Sequence, residues 1–277
     1  MTKADVSVII PCYRCAGTIE RCVQSVMNQT LLPKEIILVS DASDDQSENI
    51  LIELQSSYGS SFIKIIKFDT NQGPASARNA GWDLSESRFV AFLDADDVWH
   101  TDKIQIQYSI MLADNLIDVS SHSTSNQGFD AYTDCVESHI ENVYFKQMLL
   151  KNSMPTRSVM LKRNINFRFE HGLYYAEDYR LWLDILSEGL NVIHINCILA
   201  RSFKNDYGDN GLSSNLSNME SGVQSIYLDL YKNGKLSLGC YLIILIYSKF
   251  KFLMRVLLVQ LGLFKNLVIS LATNNIK

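Results

Sequence analysis

No acidic residue occurs from Lys232 to Lys277, a stretch that holds Lys232, Lys235, Lys249, Lys251, Arg255, Lys265 and Lys277. The residues before it are short of basic charge, with 18 Lys and Arg against 30 Asp and Glu. The formal net charge of -5 argues against nucleic acid as a partner. Proline is scarce at 4 residues, and charged residues make up 20% of the chain against 47% hydrophobic. That balance excludes a disordered chain and leaves a globular one with a real core. Histidines are few: His100, His122, His139 and His171 have no partner at metal-ligand spacing, and His194 lies in a strand-like run that favours a structural role. His171 is read as a plain loop residue.

The cysteines (Cys12, Cys15, Cys22, Cys135, Cys197, Cys240) include one CxxC, at Cys12 and Cys15, and no second CxxC to complete a zinc site. A redox pair is one reading of it; small, half-buried thiols in a reduced cytosolic protein is the reading preferred. No secretory leader is visible, because residues 6–10 are too short for its apolar core and Pro11 stops them. No internal repeat is evident.

What is present is an alternation. Residues 6–11 (VSVIIP), 35–39 (EIILV), 62–68 and 89–93 (FVAFL) are short apolar runs, as buried strands require. Helical patterns separate them: an apolar face on Ile19, Cys22, Val23, Val26 and Met27, then residues 46–57, then 75–84 behind Asn71-Gln72-Gly73-Pro74. This β-α-β-α-β-α-β order predicts an α/β fold with a mainly parallel, doubly wound sheet. Beyond Lys103 the pattern loosens. Helices are expected at 103–113, 143–151 and 177–187, strands at 157–161, 192–195 and 198–203, and irregular chain at 120–130 and 205–218.

The stretch 88–100 (RFVAFLDADDVWH) ends its strand in Asp94, Ala95, Asp96 and Asp97. Side chains alternate along an extended segment, so Asp94 and Asp96 point the same way. Paired hard oxygens at that spacing suit a divalent cation such as Mg²⁺ or Mn²⁺. In open α/β sheets ligands bind beyond the carboxyl ends of the strands, where Pro11-Cys12-Tyr13, Asp41 and these acids fall. The competing reading is a loop of acids capping a helix. Arg78, early in a helix, could meet phosphate or make a surface ion pair.

Five blocks in this order (VSVIIPCY, IILVSDAS, NQGPASARNAGW, FLDADDVW and AEDYRLWL) resemble the family-2 glycosyltransferases of the GT-A fold, over residues 6–186. The resemblance implies an inverting enzyme that moves a sugar from a nucleotide-sugar, usually UDP-linked, to an acceptor hydroxyl. It implies that Pro11 and Tyr13 border the base, that Asp41 accepts a hydrogen bond from uracil, and that Arg78 lies near the donor. Asp94 and Asp96 match the DxD pair that serves a Mn²⁺ or Mg²⁺ ion, Asp94 toward the ribose and Asp96 on the metal. Asp97 would support the metal site or cap the next helix. Asp178 matches the catalytic base, although Glu177 and Asp178 would also stabilise a helix start.

Two departures stand out. The Asp-Asp-Gly-Ser type turn appears as Ser40-Asp41-Ala42-Ser43, keeping only its second acid, and residues 200–214 hold no histidine to serve as a metal ligand. The expected organisation is a nucleotide-sugar-binding half at 1–105, an acceptor-binding half at 106–231 and a helical tail at 232–277. In the tail, apolar runs at 236–247 and 253–264 flank Lys249 and Lys251. Neither run reaches the ~20 residues that span a bilayer. Basic, acid-free, amphipathic helices fit an anionic membrane surface; packing on the body or on a second subunit is the alternative. The expectation is a cytoplasmic, peripheral membrane enzyme acting on a lipid-linked glycan acceptor in O-antigen, capsule or exopolysaccharide assembly. Two further function classes are a sugar-phosphate nucleotidyltransferase and a non-catalytic nucleotide binder. The first needs a Gly-rich basic loop, where residues 12–18 offer only Arg14 and Gly17. The second has no need of Asp178.

Overall fold

Largely apolar runs build four strands, β1 (Ala4–Cys12), β2 (Pro33–Ser40), β3 (Ile63–Lys67) and β4 (Phe89–Phe92), of which β1, β2 and β4 are buried on both faces and β3 is the half-buried edge. In this computed structural model, which describes residues 3–129, 140–203 and 215–260, they lie parallel in the order β3-β2-β1-β4. Helices α1 (Ile19–Met27), α2 (Ser47–Tyr58) and α3 (Gly73–Leu84) are the crossovers. Strand alternation divides the core. Val8, Ile10, Ile36 and Leu38 face α1 and α2, and Ile37 and Val39 face Ala77 of α3. Gly81 lets α3 lie close on β1, since a Cβ there would stand 2.5 Å from Ile9 Cγ2.

The chain continues with β5 (Val98–Trp99), α4 (Lys103–Ala113), β6 (Val119–Ser125), β7 (Ile140–Asn142), α5 (Phe145–Leu150), a 3₁₀ turn (Thr156–Ser158), β8 (Met160–Lys162), α6 (Glu177–Ser187) and β9 (Val192–Arg201). The sheet extends as β4-β8-β6-β9-β5, with β7 also on β9. Strand β8 runs antiparallel to β4 and β6, whereas β6 and β9 are parallel. The sheet is therefore mixed: parallel through β3-β2-β1-β4, as its sequence predicts, with the antiparallel pairs of β8, β5 and β7 beyond. Against its α3 face, Trp82, Phe92, Phe169 and Trp182 form a chain of edge-to-face rings 5.3–6.4 Å apart.

The structure corrects four readings. Residues 119–125 (VSSHSTS) are a central strand rather than irregular chain. Their serines are satisfied inside: Gln107 Nε2 donates to Ser120, and Ser121 Oγ and His194 Nδ1 are 2.9 Å apart. Residues 157–161 divide between the 3₁₀ turn and β8. The two strands expected at 192–203 are one, with irregular register against β6. Cys12, Cys15, Cys22 and Cys240 are free thiols, but Cys197 is disulfide-bonded, against the expectation of a fully reduced set. Of the irregular stretch at 205–218, residues 205–214 lie outside the described ones, and 216–218 open a helix.

Residues 1–204 form one compact unit and 205–277 a second. The second contains α7 (Leu216–Lys232) and α8 (Leu238–Gln260). Buried Glu220 joins them, accepting from Ser248 Oγ at 2.8 Å and Arg255 at 3.4 Å. The two apolar runs of the tail thus begin in one continuous helix, because Lys249 and Lys251 are good helix formers that change its surface, not its course.

Candidate active site

The carboxyl ends of β1, β2 and β4 are adjacent, so the residues that follow them, Tyr13, Asp41 and Asp94, collect along one sheet edge. Asp41 N–H donates to Cys12 O at 2.9 Å, which fixes the first two turns against each other. The Asp41 side chain is buried and seats the start of α3. Its Oδ1 accepts from Gln72 N–H at 2.7 Å and its Oδ2 from Gly73 N–H at 2.9 Å. Burial pushes its carboxyl up from the usual range, and these two amides pull it partly back. Gly73 has φ +84, and a Cβ there would meet the Tyr174 ring at 2.9 Å; the ring covers this amide cradle.

One and a half turns into α3, Arg78 is buried and bridges two acids. Its Nη2 donates to Asp94 Oδ1 and its Nη1 to Glu177 Oε1, each at 2.8 Å. Burial alone would lower its pKa, but the two carboxylates outweigh that and keep the guanidinium charged. Its Cζ also lies 5.3 Å from the Phe169 ring centre. Helix α3 is thus the hub: its first amides hold Asp41, and its arginine ties the acidic turn to the start of α6.

Asp178 follows Glu177 in the first turn of α6. Its Oδ1 accepts from Tyr179 N–H at 2.6 Å, and its Oδ2 from Thr156 Oγ1 at 3.3 Å and Asn152 Nδ2 at 3.4 Å. Burial, then the neighbouring Glu177, push its carboxyl up to about 6, with Arg78 opposing. That range suits a general base near neutral pH.

In the acidic turn, Asp97 N–H donates to Asp94 O at 3.0 Å and Arg21 Nη2 to Asp96 O at 3.0 Å. Asp97 does not cap the next helix, whose N-cap is Asp102. It lies 3.4 Å from Arg157, and burial raises its carboxyl to about 7. Among the described residues, no group of three or more His, Cys, Asp and Glu could hold a metal by itself. The donor set fits a hard divalent cation that completes its shell with substrate oxygens and water, and Asp94 has one oxygen already on Arg78.

Backbone strain marks the same places. Among the described residues, the non-glycine residues at positive φ are Arg14 (φ 47), Ala42 (φ 52) and Ala176 (φ 59). They adjoin Tyr13, Asp41 and Glu177. Such conformations cost of order 1–3 kcal/mol each and persist where surroundings over-determine them. Ala42 occupies the glycine position of the family's turn and keeps a glycine-like φ. Cys12 and Cys15 are buried free thiols, and His194 lies between Ser121 and Ser123 as a structural residue. Glu177, Thr156 and Asn152 enter the site without having been assigned from sequence. Glu177 carried a signal in its place beside Asp178; the other two carried none.

Residues 7–173 match Glycosyl transferase family 2. The UDP-Glc:alpha-D-GlcNAc-diphosphoundecaprenol beta-1,3-glucosyltransferase WfgD of Escherichia coli is 30% identical over 194 residues, covering 69% of this chain and 73% of its own. WfaP of Escherichia coli, of the same described activity, is 33% identical over 197 residues, covering 70% and 74%. The crystal structure of S. aureus TarS 1-349 in complex with UDP-GlcNAc superposes with a TM-score of 0.67 at 19% identity, over 88% of this chain and 70% of that one. At that identity the likeness is one of fold, and it bears out the expected GT-A architecture.

Proposed function

The chain belongs to glycosyl transferase family 2, and from that premise we propose that it moves a sugar from a UDP-sugar to a hydroxyl of a lipid-diphosphate-linked glycan, with inversion, in building a bacterial surface polysaccharide. The observation that carries this reading is the Arg78 bridge, which holds Asp94 of the acidic turn and Glu177, beside Asp178, on one guanidinium. The described acceptor of the two Escherichia coli relatives supports the lipid-linked glycan.

In this reading Pro11 and Tyr13 border the base, and Asp41 meets uracil with the lone pairs its backbone amides leave. Asp94 lies toward the ribose, held by Arg78. Asp178 takes the acceptor proton as the acceptor oxygen bonds to the anomeric carbon and the bond to the diphosphate breaks. Asp96, with Asp94, would hold a Mn²⁺ or Mg²⁺ ion, which supplies positive charge to the departing diphosphate. The purified protein, given UDP-glucose, UDP-GlcNAc or GDP-mannose with a GlcNAc-diphospholipid and Mn²⁺, should release UDP from one UDP-sugar only when acceptor is present. Turnover confined to the GDP-sugar overturns the donor class.

The membrane expectation acquires a face. Along α8, Leu242, Ile243, Ile246, Phe250, Leu253 and Leu257 are exposed at helical spacing, while Ile244 and Ser248 are buried. Among the described residues no helix is long and apolar enough to cross a membrane. We assign this stripe to an anionic lipid surface, since the acid-free, basic stretch around it complements anionic headgroups. The protein should sediment with vesicles containing phosphatidylserine, and the triple variant Ile243→Ser, Ile246→Ser, Phe250→Ser should lose binding by roughly tenfold or more, given about 1.5–3 kcal/mol per buried apolar side chain. Equal sedimentation of the two proteins, or a wild-type dimer that the variant converts to monomer, removes the lipid assignment.

A further inference from the structure

The three tryptophans of the chain serve one segment. Each gives its indole N–H to a main-chain carbonyl within 154–163: Trp182 to Met154 O at 2.8 Å, Trp99 to Arg157 O at 2.8 Å and Trp82 to Arg163 O at 2.9 Å. They come from α6, from the strand just after the acidic turn, and from α3, the elements that carry the candidate site. Gln107 Nε2 adds a bond to Ser158 O at 3.0 Å, and Phe92 N–H donates to Val159 O at 3.3 Å. These indole donors tie the backbone at and around the short 3₁₀ turn and β8 to the elements that carry the site.

The side chains of this segment then point two ways. Thr156 Oγ1 and Asn152 Nδ2 donate to Asp178. Arg157, the next residue, faces Asp97 at 3.4 Å. Thr156 is buried, so its hydroxyl has few alternatives to that carboxylate. We propose that residues 152–158 are the common seat on which the base and the acidic turn are set, with Thr156 a positioning residue for Asp178 and Arg157 one for the turn 94–97.

The inference rests on Asp178 as the base, and it separates two consequences. A donor to the charged carboxylate favours ionisation, so removing it raises the pH needed for the base to act. The charged groups acting on Asp178 are Glu177 on its own helix and Arg78 from α3; the segment contributes neutral donors. Arg157 pairs with Asp97 of the acidic turn, and the chief charges on Asp178 are Glu177 and Arg78 instead.

The test measures kcat and donor KM of the full-length enzyme from pH 5 to 9. Thr156→Val should move the acidic limb of kcat/KM upward by roughly half a pH unit or more, with donor KM unchanged. Thr156→Ser should restore it, and Asn152→Ala should shift it the same way. Arg157→Gln should raise donor KM severalfold and leave the limb in place. The proposal is overturned if Thr156→Val and Asn152→Ala leave the limb unmoved, if the Ser and Val variants fail alike at every pH, or if Arg157→Gln moves the limb. Asp178→Asn run beside them keeps the two readings apart: full turnover there defeats the base, whereas loss of turnover with an unmoved limb in the Thr156→Val variant defeats only the seat.

Discussion

Replacing Asp178 with Asn is expected to reduce sugar transfer by ~10²–10⁴-fold, the contribution of a positioned general base, while the UDP-sugar still binds. The substitution is nearly isosteric, and its surroundings tolerate it. The Tyr179 N–H still finds an oxygen, and the Thr156 hydroxyl can accept from an amide as readily as it donates to a carboxylate. Asn152 Nδ2, which donates to the same oxygen at 3.4 Å, loses that long bond, and the chief loss is the capacity to take a proton. The wild-type enzyme should show the complementary signature in pH. With its carboxyl raised to about 6 by burial and by Glu177, Asp178 is ionised above that value and protonated below it, so kcat/KM should fall as pH drops through 6. Stability should run the other way for this one group. Its folded pKa lies above the usual carboxylate value, so the unfolded chain gives up the proton first, and the contribution of Asp178 to stability declines between pH 4 and 6. The Asn variant is free of that decline and should melt no lower than wild type at pH 7. Donor binding by calorimetry, UDP release and a melting curve together decide the matter. Turnover within twofold of wild type would remove Asp178 from the chemistry.

The sequence carried the strand tips further than the links between them. Strands β1, β2 and β4 are legible because they are buried on both faces and therefore mostly apolar, with a turn or acidic residue following each run. Helix α6 is legible from Leu181, Trp182, Ile185 and Leu186. By contrast β6 is written as VSSHSTS, and its burial depends on hydrogen bonds to Gln107, Met160 and His194 that no periodicity records. The Arg78 bridge joins residues 16 and 99 positions apart, a separation at which only the fold reveals a partner. Helix α7 went unread because its apolar positions are interspersed with Ser, Asn and Gly. The tail read as two runs because Lys249 and Lys251 interrupt the apolar count, whereas a helix simply turns them along its surface.

Replacing Arg78 with Met should damage both stability and activity, for one electrostatic reason. Arg78 is the cation set between Asp94 and Glu177, and its side chain is almost wholly buried. Without it Glu177 is a buried carboxylate with no counter-charge from α3, and Asp94 loses the donor that fixes its Oδ1. Breaking one side of a buried ion pair costs ~3–5 kcal/mol. Asp94 is partly open to water, so the lower end is the better expectation, about 3 kcal/mol. For a unit of about 200 residues that corresponds to a melting temperature roughly 6–12 °C lower. Added salt should do little to close the gap, because screening is weak at a buried pair. Activity should fall through the donor and the base together, since the same guanidinium orders the acidic turn and lowers the cost of ionising Asp178 beside Glu177. Arg78→Lys keeps one charge but lacks the planar fork that reaches both acids, so it should recover part of the stability and little of the transfer. The decisive variant is the double one. If the damage comes from an unpaired Glu177, adding Glu177→Gln to Arg78→Met should restore a measurable part of the melting temperature, a coupling that two unrelated lesions would not produce. Additive losses in the double variant, or an Arg78→Met protein that melts within 2 °C of wild type and still transfers sugar, would mean that the arginine does not hold the two halves of the site together.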